Sequence, residues 1–150
     1  MKKKILVGFL VIVGLLTLTG CGKGKKIDSE ITSFNYNFGS YNGGYYSYTI
    51  TDDSNKVTYI ATGSNGVDLN INKEIDRSYL EQLAKIINDK KIYNWNNFNK
   101  KDDGVLDGYS FGLVVSYKNG ERIASNGYMK YPINYKSGHK AIVDFLNTIE

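Results

Sequence analysis

The chain has 150 residues, a formal net charge of +4 and a single cysteine, which suits one domain and excludes a fold built on internal disulfides. The positive charge lies at the start of the chain, because from residue 27 onward 13 Lys and Arg stand against 15 Asp and Glu, a net charge of −2. A nucleic-acid-binding protein concentrates positive charge on its folded domain, so this charge distribution argues against a nucleic-acid partner.

The first twenty residues have the composition of an export signal. Lys2, Lys3 and Lys4 precede an apolar stretch of 14 residues, residues 5–18. A helix needs about 20 residues to cross roughly 30 Å of hydrocarbon, so the stretch favours a cleaved signal over a permanent membrane span.

The signal ends in Leu18, Thr19, Gly20 and Cys21. This run resembles the lipobox of bacterial lipoproteins, which implies cleavage between Gly20 and Cys21 and attachment of diacylglyceride to the Cys21 thiol. Two acyl chains anchor a protein stably without spanning the bilayer. The sequence therefore predicts a lipoprotein signal peptide at residues 1–20, a lipidated tether at residues 21–30 and a single domain at residues 31–150. The domain is expected on the outer face of the cell membrane.

The tether carries Lys23, Lys25 and Lys26. Lysines close to a membrane interact with anionic headgroups, at about 1 kcal/mol each. A soluble spacer without lipid contacts is the alternative.

Alternating apolar and polar residues predict four strands after the tether. Short turns rich in Asn, Asp and Gly separate them, which favours an antiparallel meander. The apolar positions of the four strands are, in order, Phe34, Tyr36 and Phe38; Tyr46, Tyr48 and Ile50; Val57, Tyr59 and Ala61; and Val67, Leu69 and Ile71.

Over residues 77–91 the apolar residues recur with the period of an α-helix, which predicts a helix there. Either Asp76 or Ser78 suits the N-cap, and Ser78 with Glu81 has the spacing of a capping box.

Two more strands and a second helix complete the predicted fold. Alternation over residues 109–117 is followed by Asn119 and Gly120, a strong hairpin signal, and Ser137 is a suitable cap for a last helix. The predicted order ββββ-α-ββ-α is an α+β fold, with one antiparallel sheet and both helices packed on one face.

No catalytic constellation stands out in the sequence. His139 is the only histidine and is expected at the surface of the last helix, while Cys21 is committed to lipid. Asp102, Asp103 and Asp107 lack the ligand spacing of an EF-hand, which favours a solvated turn. The sequence thus predicts no catalytic residue, no metal and no cofactor, and it favours a noncatalytic protein.

A set of short motifs follows the first predicted helix. Trp95 and Phe98 form Trp-x-x-Phe, residues 106–108 read Leu-Asp-Gly, and residues 131–132 read Tyr-Pro. The pattern resembles a family of small uncharacterised lipoproteins of Firmicutes and other gut-type bacteria, over about residues 79–150. The resemblance implies a fold type and a location, and it implies no reaction.

Two interpretations of the motifs remain open. In the first, Trp95 and Phe98 cover the end of the first helix, and Asp107 accepts N–H groups in a turn. In the second, Trp95, Phe98, Asp107 and Tyr109 surround a groove that recognises a sugar or peptide.

These features lead to three hypotheses of function. The first is a noncatalytic binding or accessory lipoprotein for a protein partner in the envelope, with a sheet edge or the loop around Trp95 as its interface. The second is a cell-wall glycan-binding module, which requires tyrosines that project from the polar face of the meander, for instance Tyr41 and Tyr45. The third is an envelope hydrolase that uses carboxylates, which requires two acidic groups converging in a pocket.

Overall fold

The structure is a computed structural model that describes residues 24–149. The predicted signal peptide, its cleavage site at Gly20 and the lipidation site at Cys21 lie outside the described residues. The described part contains seven strands, two α-helices and one 3-10 helix. These are β1 Ile31–Ser40, β2 Gly44–Asp52, β3 Val57–Ser64, β4 Asn70–Ile75, α1 Ser78–Asp89, the 3-10 helix Ile92–Trp95, β5 Asn99–Lys101, β6 Ser110–Tyr117, β7 Arg122–Tyr128 and α2 Tyr135–Asn147.

The strands of residues 24–149 form one sheet in the order β4-β3-β2-β1-β6-β7-β5. All neighbouring pairs are antiparallel except β5 and β7, which are parallel. The predicted α+β class, with a mostly antiparallel sheet and two helices, is confirmed. The predicted meander of four strands is present as β1 to β4, and the predicted hairpin as β6 and β7.

The predicted count of six strands is wrong, because β5 adds a seventh. This strand has three exposed residues and pairs Asn99 with Asn126 of β7. Because all three side chains are exposed, the strand shows no alternation that a sequence pattern could reveal.

The start of β4 also differs from the prediction. The strand begins at Asn70, after the apolar positions Val67 and Leu69. Val67 instead packs its side chain against Gly44 and Gly63, and the Gly63 N–H donates to the Leu69 carbonyl over 2.7 Å. Val67 and Leu69 therefore belong to the turn that brings β4 beside β3.

Both helices begin near the predicted residues. Of the two caps that the sequence suggests for α1, Asp76 lies before the helix, whereas Ser78 is already its first residue. The Asp76 carboxylate accepts the N–H of Ser78 over 2.8 Å, so Asp76 acts at the start of α1. Ser137 is not the cap of α2, because that helix begins two residues earlier, after Asn134 in the left-handed conformation (φ 64°). Within residues 24–149, no helix has the length and apolar character that a membrane span requires.

The core lies between the two α-helices and one face of the sheet. From the sheet, Tyr36 contacts His139 of α2, and Tyr59 contacts Leu146 of the same helix. All four side chains are buried or half-buried. The opposite face is open and polar, with a hydrogen bond of 2.9 Å from the Asn35 amide to Thr49. The side chains alternate between these two environments, as expected for a sheet with one solvated face.

Residues 24–30 run along the surface of the domain. Ile27 is half-buried against the core, and the Glu30 carbonyl accepts the N–H of Lys118 over 2.9 Å. At the other end of the segment, Gly24 lies directly against the Tyr93 backbone. These residues were predicted as part of the tether, yet the structure places them in contact with the domain.

Candidate functional site

Trp95 is fully buried at the end of the 3-10 helix. Its ring lies 6.0 Å from Phe111 and 5.4 Å from Tyr135, measured between centroids. Its indole N–H donates to the Ile133 carbonyl over 3.1 Å, which satisfies the one polar atom of the ring. The ring therefore offers no surface to a partner in this structure, and its geometry is that of a core residue.

The other three predicted site residues do not surround a groove with Trp95. Phe98 is half-buried and stacks on Phe111 at 6.3 Å between centroids. Asp107 is exposed in the loop before β6, where the next residue, Gly108, donates its N–H to the Tyr128 hydroxyl over 2.7 Å. Tyr109 is half-buried and lies beside His139, and the Tyr135 ring connects His139 to Trp95.

A cluster of aromatic side chains lies where the start of α2 meets the ends of β1 and β6. His139 is at its centre, 4.8 Å from Phe38, 5.4 Å from Tyr135 and 6.3 Å from Tyr109 between ring centroids. The Tyr36 hydroxyl lies 2.7 Å from His139 Nδ1 and 3.4 Å from the Tyr135 hydroxyl. The sequence placed His139 at the surface, and this expectation is wrong because the ring packs on four aromatic neighbours.

Burial sets the protonation of this cluster. It lowers the pKa of His139 below its ordinary value and raises the pKa of Tyr135 to about 12. The pKa of Tyr36 is raised far above its ordinary value, also mainly by burial. At neutral pH the cluster is therefore a set of uncharged hydroxyl groups around an uncharged imidazole. The described contacts of His139 are all with aromatic residues, an arrangement suited to fixing α2 on the sheet.

Four apolar side chains are exposed on the two connections that meet beside the aromatic cluster, one before β6 and one after β7. We call this surface the apolar end patch, and its members are Leu106, Met129, Tyr131 and Ile133. Leu106 is 94% exposed and Ile133 is 84% exposed. Exposed apolar side chains on adjoining connections make this surface a candidate site of interaction.

Hydrogen bonds hold the apolar end patch in place. The Tyr128 hydroxyl lies 2.9 Å from the Leu106 carbonyl and 3.0 Å from the Val105 carbonyl, which fastens the loop to β7. The Met129 N–H donates to the Tyr109 carbonyl over 3.0 Å. Met129 also has a left-handed backbone (φ 54°), a conformation uncommon for a non-glycine residue. Backbone strain of this kind clusters at functional sites.

A second exposed surface is the turn between β1 and β2 with the start of β2. Tyr41 is 66% exposed and Tyr45 is 39% exposed. The exposure that the glycan hypothesis requires of these two tyrosines is present.

A groove of about 890 Å³ separates residues 26–31 from α1. Its lining includes Leu80 and Tyr117, an ion pair between Arg77 and Asp52, and charged residues of both signs. This mixture does not favour an anionic or a cationic ligand.

Comparison with known proteins adds no family to these observations. No protein-family model matches the chain, and no curated protein matches it.

The acidic run at residues 102–107 forms surface ion pairs. Asp102 lies 3.0 Å from the Lys130 ammonium, and Asp103 lies 3.0 Å from that of Lys101. No group of three His, Cys, Asp or Glu suited to a metal occurs within residues 24–149.

The apolar end patch was not predicted as a site. The sequence motifs include Leu106, as part of Leu-Asp-Gly, and do not include Ile133. The sequence nevertheless contains a signal for them. Leu106 and Ile133 are apolar residues in polar connections between predicted elements, outside the alternating positions that form the core.

Proposed function

We propose that this chain is a lipid-anchored lipoprotein of the bacterial envelope that acts as a noncatalytic binding module for a protein partner. The signal peptide with Leu18, Gly20 and Cys21 supports export and lipidation, on the outer face of the cell membrane. The apolar end patch is the contact surface. The observation that carries this assignment is the exposure of Leu106 and Ile133 on a framework of hydrogen bonds.

The chemistry of the patch favours a protein over a small ligand. Its side chains are aliphatic, thioether and aromatic, a composition typical of the cores of protein interfaces. Lys130 and Asp102 lie at its side as an ion pair, which fits a polar rim. Because Tyr128 and Tyr109 hold the backbone, little conformational entropy is lost when a partner binds.

Site-specific photocrosslinking in intact cells tests the protein partner. A photoreactive phenylalanine analogue replaces Leu106 or Ile133, and the exposed positions Asn55 and Lys73 serve as controls. We expect one discrete crosslinked product from both patch positions and none from the controls. Products that are equal at all four positions, or absent from the patch, would refute the assignment.

The anchor is tested by a Cys21→Ala variant. The wild-type protein should carry the added mass of diacylglyceride on Cys21, whereas the variant should not. A wild-type chain whose Cys21 lacks this mass would contradict the anchor.

A cell-wall glycan is the second candidate ligand, supported by the exposure of Tyr41 and Tyr45 beside the polar face of the sheet. Aromatic faces with nearby amides and hydroxyls suit sugars. The test is co-sedimentation of the Cys21→Ala mature chain with purified peptidoglycan. Saturable pelleting that is lost on Tyr41→Ser with Tyr45→Ser, and kept on Leu106→Asn, would favour the glycan.

A further inference from the structure

The point where the tether leaves the folded domain is fixed by close packing. A Cβ atom on Gly24 would come within 1.8 Å of the Tyr93 carbonyl oxygen and 3.0 Å of the Asn94 Cα, so the chain passes in contact with the 3-10 helix. Residues 27–30 continue along the domain, with Ile27 against the core and Glu30 bonded to Lys118. Residues 24–30 therefore add no distance between the domain and the membrane.

The length of chain between Cys21 and Gly24 limits how far the domain can move from the lipid. Three residue steps separate Cys21 from Gly24, and an extended chain of that length spans at most about 11 Å. If the whole predicted tether of residues 21–30 were free, the domain could move roughly three times as far from the bilayer. With the lipid in the membrane, the 3-10 helix is held close to the headgroups.

The surface around this exit carries lysines, and we call it the tether edge. It consists of Lys25, Lys26, Lys90 and Lys91, together with Tyr93 and Asn94. All four lysines are exposed, and none belongs to an ion pair of residues 24–149. The same two stretches contain two unpaired acidic residues, Asp28 and Asp89, so positive charge predominates.

We propose that the tether edge lies on the anionic headgroups of the membrane that holds the lipid anchor, and that this contact orients the domain. The proposal rests on the proposed lipidation of Cys21. Each lysine at an anionic surface favours the bound orientation by roughly a factor of five. Half-buried Tyr93 is suited to the same zone, because tyrosine is enriched at membrane–water interfaces.

The direction of α1 indicates which part of the domain points away from the membrane in this orientation. Arg77, just before α1, bonds to Ser54 in the turn between β2 and β3, while Lys90 and Lys91 follow its last residue. A helix of 12 residues is about 18 Å long. The turn that contains Asn55 is therefore about one helix length from the tether edge.

Fluorescence quenching on the lipidated mature chain tests the orientation. Cys21 is the only cysteine and its thiol is used by the lipid, so Asn94→Cys and Asn55→Cys each supply one free thiol for a fluorophore. The labelled proteins are reconstituted into vesicles that carry a headgroup quencher, with phosphatidylcholine alone or with added phosphatidylglycerol. We expect several-fold stronger quenching at position 94 than at position 55 when phosphatidylglycerol is present.

A charge variant and a matched control separate headgroup contact from tether length. Lys90→Gln with Lys91→Gln should reduce the quenching at position 94 in phosphatidylglycerol vesicles, whereas Lys56→Gln with Lys73→Gln, which removes the same charge elsewhere, should not. Equal quenching at positions 94 and 55, or equal effects of the two pairs of substitutions, would overturn the proposal. Mass spectrometry of Cys21 distinguishes the causes, because a chain without lipid refutes the anchor itself, whereas equal quenching with the lipid in place refutes only the orientation.

Discussion

Replacement of Gly138 by alanine tests how tightly α2 packs on the buried tryptophan. A Cβ atom at this position would lie 2.5 Å from Trp95 Cζ2 and 2.9 Å from Cη2, distances that require one of the two groups to move. The ring is fully buried and its N–H is bonded to the Ile133 carbonyl, so a shift of the ring would disturb its packing and this hydrogen bond.

Two effects of opposite sign determine the magnitude. Alanine is favoured over glycine inside a helix by about 1 kcal/mol. Overpacking of a well-filled core costs about 1–3 kcal/mol. Because the indole ring is rigid, we expect a cost in the upper part of that range. We expect Gly138→Ala to lower the free energy of unfolding by about 1–2 kcal/mol, against the direction that helix propensity alone predicts.

The assay is urea unfolding followed by the fluorescence of Trp95, the single tryptophan of the chain. Gly104→Ala is the matched control, because a Cβ there meets only the Asp102 side chain at 3.5 Å, an ordinary contact. An equal or greater stability of Gly138→Ala would refute the reasoning. A Trp95→Phe background, followed by circular dichroism, should reduce the cost of Gly138→Ala, since the smaller ring makes room.

Three further predictions concern the aromatic cluster and the patch. Burial lowers the pKa of His139, so this histidine binds a proton more readily in the unfolded chain than in the folded one. The resulting contribution to the free energy of unfolding is present above about pH 6.5 and is lost as the pH falls through the pKa of the folded state. The urea midpoint should be lower at pH 5 than at pH 7.5, and His139→Gln should reduce this difference; an unchanged difference in the variant would assign it to other groups. Tyr36→Phe removes the 2.7 Å bond to His139 and should cost about 1–3 kcal/mol of unfolding free energy, more than Tyr135→Phe, whose bond to Tyr36 is 3.4 Å; chemical denaturation would show a reversed ranking if the network is misassigned. Leu106→Asn should change the unfolding free energy by less than about 0.5 kcal/mol, since the side chain is 94% exposed, and a larger loss in a thermal melt would mean that Leu106 is packed in solution.

The Trp95→Ala variant is a poor test of binding, although the motif first suggests it. Removing a fully buried tryptophan costs about 3–5 kcal/mol, a large part of the stability of a small domain. A loss of binding in that variant would not distinguish a lost contact from a loss of folded protein, so Leu106 and Ile133 are the informative positions.

Local sequence patterns were sufficient for most of the fold. The alternation in β1, β2, β3 and β6 predicts strands because successive side chains point to opposite faces, and the Asn-Gly turn places β7 beside β6. β5 escaped prediction because its pairing with β7 is parallel, non-local and exposed. The start of α2 was misplaced because Asn134, and not the expected Ser137, occupies the position before the helix.

The sequence alone determined what is local: the basic and apolar signal, the predicted lipid-bearing Cys21, the strand alternation and the helical period. Each of these depends on neighbours only a few residues away. The tertiary structure decided what depends on distant residues, because an aromatic side chain suits the core and a binding surface equally well. Only the fold shows that Trp95 is inside while Leu106 and Ile133 are outside, that His139 meets Tyr36 from 103 positions away, and that Gly24 lies against Tyr93.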